Sequence, residues 1–168
     1  PWPTSQQAVA DAILRSHLTN DANGCRHTFM ANRYNCPQLL ALMSTEWNLR
    51  GGGTCKANRI GFPMNMLKLS NSDERGDYVR VVDPRLGMVA TRWKDSKIVQ
   101  TVSTIMKKGE PVIKRQVGSE AVDVKCPNDI VQYQENMYGV YRVDQHRLMV
   151  SCFANVAYFK KWYKKVHM

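Results

Sequence analysis

An α/β core interrupted by a β-rich insertion is the fold this sequence predicts, and three observations carry it. The first half alternates helix and strand signals. The middle holds three alternating or β-branched runs, "GDYVRVV", "GMVATRW" and "KIVQTVSTI", separated by the turn signals "DPRLG" and "KDS". A helix signal returns at "CPNDIVQYQENMYG", which opens on Pro127.

In chain order, "TSQQAVADAILRSHL" predicts a helix. Thr4 and Gln7 have capping-box spacing, and Val9, Ala12 and Ile13 fall on one face. A short strand is expected over 25–31. In "NCPQLLALMSTEWNLRGGG", Asn35 is the expected cap, Pro37 suits the first turn and Gly51 the stop. Leu39, Leu40, Met43 and Trp47 form its apolar face, read as core. "TCKAN" (54–58) is β-compatible, and the β-rich runs follow from about Gly61 as an antiparallel meander. Residues 107–120 are basic and turn-rich, and 107–116 reads as a loop. The expected partition is 1–60 for the first part of the core and 61–123 for the insertion. Residues 124–168 are expected to hold a helix completing the core and the start of a basic segment.

Length and composition fit one globular domain. The 168 residues, 43% of them hydrophobic, suffice for a core and argue against disorder. Lys and Arg number 24 against 14 Asp and Glu, a net charge of +10 that points to a polyanionic partner, most plausibly nucleic acid. The five cysteines, at 25, 36, 55, 126 and 152, lack the close pairing of a zinc site or a disulfide framework, so buried, reduced thiols are expected. No apolar run approaches the length of a membrane span. "PWPTSQQ" is not a signal peptide; the missing initiator Met and the "KKVHM" ending suggest a piece of a longer protein.

Four segments, taken together, resemble the transposase domain of the piggyBac family. "MANRYNCPQLL" resembles a strand-end segment of Asp-Asn-aromatic-aromatic followed by a Pro and a helix. "GGTCKANRIGFP" is similar to Gly-Thr-x-Arg-x-Asn-Arg ending in Pro, and "RWKDSKIVQTVSTI" to Trp-x-Asp-x-Lys with a following strand. "CPNDIVQYQENMYGVYRVDQ" resembles a Cys-Pro start and the hallmark Met-Gly-Gly-Val-Asp-x-x-Asp-Gln. They occur in the family's order within residues 26–168, with departures like those of a domesticated member.

The resemblance implies an RNase H-like core in which three Asp hold two divalent metals, Mg²⁺ or Mn²⁺, for phosphodiester cleavage and strand transfer. It further implies a nuclear protein, DNA as partner and pairing into a homodimer. Carried over by position, the strand-end Asp falls on Ala31 and the Asp of the hallmark on Tyr141. Tyr138 replaces the first Gly, Gly139 survives, and the family's first Asp would precede Pro1. Neither Ala31 nor a neutral Tyr141 is a Mg²⁺ ligand. Asp144 alone keeps its acid, as a candidate catalytic and metal residue or as an ion-pair partner of Arg142 or Arg147.

Candidate DNA contacts are the terminal Lys160, Lys161, Lys164 and Lys165, clustered by helical spacing, and Lys107, Lys108, Lys114 and Arg115. Asp95 reads as a turn residue, His27 and His146 as structural, and the tryptophans as core.

Overall fold

The computed structural model describes residues 4–15, 27–32, 34–105 and 109–137. Among these residues ten elements follow in order: α1 (Thr4–Arg15), β1 (Thr28–Ala31), α2 (Pro37–Thr45), β2 (Arg50–Thr54), β3 (Tyr78–Asp83), β4 (Met88–Lys94), β5 (Ile98–Ser103), β6 (Val112–Val117), β7 (Glu120–Lys125) and α3 (Asn128–Asn136). Pro1–Glu135 forms one compact unit and Asn136–Met168 a second, of which only Asn136 and Met137 are described.

The mixed α/β expectation holds. Five strands make one sheet in the order β1-β2-β5-β4-β3, and β6-β7 is a separate ribbon. β1 and β2 run parallel, whereas β2-β5, β5-β4 and β4-β3 are antiparallel. The meander expected over β3–β5 therefore forms and extends the same sheet as β1 and β2.

Period-2 alternation explains how β4 serves two layers. Met88 and Ala90, with Val102 of β5, join the core built by Ala10 and Ile13 of α1, by Leu39, Leu40 and Met43 of α2 and by Cys36 just before it. Trp93 lies in a second cluster with Val124, Cys126 and Ile130 under β7 and α3. Thr91 and Thr101, a buried cross-strand pair, lie opposite to that first core by the same alternation.

Several local expectations need correction. On α1 the buried face is Ala10 and Ile13, with Val9 partly buried, while Ala12 is exposed. The N-cap of α2 is Cys36, whose sulfur accepts the Leu39 N–H at 3.3 Å; Asn35 is engaged elsewhere. The helix ends at Thr45, well before Gly51, and Asn48 reverses the chain with a φ of 50°. Residues 51–53 are not a stop signal; they are the centre of strand β2, which ends at Thr54 instead of starting there.

The run of glycines makes this strand possible. A β-carbon on Gly51 would stand 2.5 Å from Leu40 Cδ2, so α2 packs directly on β2 backbone. At Gly53, with φ of +139°, a β-carbon would overlap the Ala31 carbonyl oxygen and press on the Tyr133 ring.

The basic stretch read as a loop becomes strand β6 from Val112 onward. Val117 pairs with Glu120, leaving a two-residue Gly118-Ser119 turn, with Gly118 at φ 63°. Glycine at the first central position is what a type II′ hairpin turn requires.

Candidate functional site

Ala31 ends β1, half-buried and in parallel register with Gly53. The two strand ends are clasped from α2's side. Asn35, itself buried, donates its amide to the Ala31 carbonyl at 2.7 Å and to the Gly52 carbonyl at 2.9 Å. Beyond the clasp, Thr54 Oγ1 donates to Asn32 Oδ1 at 2.6 Å. Asn32, Thr54, Cys55, Lys56, Ile98, Val99 and Gln100 then line a cleft of about 400 Å³ at the carboxyl ends of the parallel pair. That end of a parallel sheet is where α/β folds place ligands.

The chemistry of this cleft is that of neutral dipoles and one cation. No Asp or Glu lines it, and Lys56 is exposed. Cys55 offers no thiolate, because burial, reinforced by nearby Cys36 and opposed by Arg59, pushes its thiol up to about 12. Among the described residues no group of three or more His, Cys, Asp or Glu could hold a metal ion. The described residues of this cleft thus offer no ligand set for the divalent ions that the resemblance implies. Ala31 stands where the resemblance places a ligand and supplies no donor atom.

The carboxylates that are described work elsewhere. Asp129, in the first turn of α3 and buried, accepts from Thr101 Oγ1 at 2.9 Å and from Arg80 at 3.0 Å. Asp95 does sit in the β4–β5 turn, but its carboxylate is held at long range, by Arg75 at 2.7 Å and Arg115 at 3.2 Å.

Arg115, expected on DNA, turns inward. Its guanidinium stacks 5.7 Å over the Trp93 ring, pairs with Asp95 and donates to Gln134 at 2.9 Å. Alternation along β6 leaves its neighbour Lys114 exposed, opposite Asp123 in the ribbon. Lys107, Lys108, Lys160, Lys161, Lys164, Lys165, Tyr138, Tyr141, Asp144 and His146 lie outside the described residues. Sequence reasoning missed Asn32, Thr54 and Lys56 as a group, and missed Asp129. The available signal was the carboxyl-end rule for parallel strands, which needed the β2 assignment first.

Comparison with known proteins now has a geometry to meet. The family model described as Transposase IS4 matches residues 2–168. Among curated proteins none matches. Among solved structures, the fold matches one described as the cryo-EM structure of piggyBac transposase synaptic complex with hairpin DNA, at a TM-score of 0.61 and 17% identity. The alignment covers 86% of this chain and 27% of that one, so this chain spans about a quarter of that transposase. The fold is that of a piggyBac-type transposase region, and the chain belongs to the Transposase IS4 family.

Proposed function

We propose that this chain is a transposase-derived, nuclear protein that binds duplex DNA mainly through backbone charge, and pairs with a second copy to do so. The observation that carries the reading is the acid-free strand-end cleft with its exposed Lys56, on a transposase fold with a net charge of +10. A basic surface without a carboxylate set favours holding phosphates over cutting between them. Phosphoryl transfer in Mg²⁺ or Mn²⁺ would instead require acids among residues not described, with Asp144 the candidate.

Binding and cutting separate cleanly in experiment. If about six phosphates are neutralised, log affinity for a duplex falls against log salt with a slope near −5. A slope near zero removes the backbone-contact reading. On the same duplex, no Mg²⁺- or Mn²⁺-dependent nicking is expected. Nicking that Asp144→Ala abolishes would restore the enzyme reading.

A further inference from the structure

We infer that the strand-end cleft is a metal-free seat for a phosphate-type oxyanion, with Asn32 and Lys56 as its donors. The argument begins with the Asn32 amide. Its oxygen is occupied by the Thr54 hydroxyl at 2.6 Å, which fixes the side chain and leaves two N–H donors without a partner among the described residues. Two residues beyond Thr54, Lys56 is exposed and has no ion pair among the described residues, and both side chains line the same cleft.

No charged group on the rest of the wall competes for these donors. Ile98 and Val99 are apolar, and the Cys55 thiol stays neutral. The Gln100 carbonyl already accepts the Cys55 N–H at 3.0 Å. A divalent cation meets no carboxylate here, whereas an oxyanion meets a charge-assisted donor and an oriented amide. Two chemical sources of the oxyanion are open to this seat, a DNA phosphodiester and free phosphate. Only the first rests on the DNA-binding reading.

The test is an amide NMR titration of the chain in EDTA, with inorganic phosphate in one arm and a short DNA duplex in the other. Phosphate is expected to shift the signals of Asn32, Thr54 and Lys56. Asn32→Asp keeps an acceptor for Thr54 while reversing the electrostatics, and Lys56→Gln removes the cation; each should weaken phosphate binding at least tenfold without unfolding the protein. In the duplex arm, Lys56→Gln should reduce the salt slope by about 0.9. Phosphate shifts at the cleft without duplex binding would uphold the seat and sink the DNA reading. Duplex binding that both variants leave unchanged, with no phosphate shifts at the cleft, would overturn the seat and leave the DNA reading standing. Binding that appears only when the EDTA is replaced by Mg²⁺ would also overturn the seat.

Discussion

The two ends of α3's environment treat acidic side chains in opposite ways. Where the Tyr133 ring lies over the ends of β1 and β2, Ala31, Asn32 and Thr54 present no carboxylate at all. Where α3 begins, Asp129 is buried against the meander, and Asp95 nearby is gripped by two arginines. The difference is physical. A carboxylate taken out of water needs a cation and hydrogen bonds, supplied here by Arg80 and Thr101 of the meander, Arg75 just before it and Arg115 of β6. At the strand ends the Ala31 and Gly52 carbonyls accept from Asn35, and the cleft beyond them keeps Lys56 and the Asn32 amide with no carboxylate of its own among the lining residues. Asp129 and Asp95 therefore fasten α3 and the β6-β7 ribbon to the sheet, and the cleft, with Lys56 as its charge, is left free for an anion.

The most severe way to break this contrast is Gly53→Val. The strand ends can close only because Gly53 adopts a left-handed-side φ and lets the Ala31 carbonyl and Tyr133 approach. Strain and overpacking together should cost about 3 kcal/mol or more. Urea unfolding checks it, and a loss below 1 kcal/mol would show that the close approach is not needed.

Next in size is Asp129→Ala, which leaves Arg80 and Thr101 facing an empty acceptor. Because Arg80 keeps 26% of its side chain exposed, water recovers part of the loss, and about 2–4 kcal/mol is expected. Asp129→Asn retains an acceptor and should cost less. If the strand-end cleft is energetically separate, phosphate shifts at Asn32 survive in Asp129→Asn.

The smallest effect sharpens the comparison through its thiols. Cys55 beside the cleft and Cys126 beside the acids are both raised from about 9 to about 12, each by burial first. For Cys55 the second cause is Cys36; for Cys126 it is Arg115, which lowers, followed by Asp129 and Asp95, which raise. In both, the folded state keeps a proton that the unfolded chain loses above about pH 9. Stability should accordingly fall as pH rises from about 9 toward 12. Urea midpoints at pH 8 and pH 10 measure the decline, and Cys55→Ala should make it shallower. A midpoint that rises with pH would contradict the protonated, buried state of both thiols.

Much of this molecule was legible from local pattern. The period-2 runs of β3, β4 and β5, the apolar positions Leu39, Leu40 and Met43 of α2, and the α3 start after Pro127 are properties of neighbouring residues. Burial of an alternating or helical face follows from its own spacing. Trp93 as core and Ala31 at a strand end were legible too, whereas reading Ala31 as a ligand position rested on the family resemblance alone.

What only the tertiary structure decided involves residues whose local signal points elsewhere. Three glycines have low strand propensity and read as a helix stop, yet 51–53 become the strand on which α2 rests, because only bare backbone fits beneath Leu40 and Met43. Arg115 reads as a solvent-facing charge, but Asp95, twenty residues back along the chain, and the Trp93 ring turn it inward. Asn35 has the composition of a cap, but two carbonyls from different strands compete for its amide. Polar and glycine residues take their roles from partners distant in sequence, since hydrogen bonds, ion pairs and close backbone contacts are satisfied in space. Hydrophobic periodicity needs no such partner to be read, and this is why it spoke first.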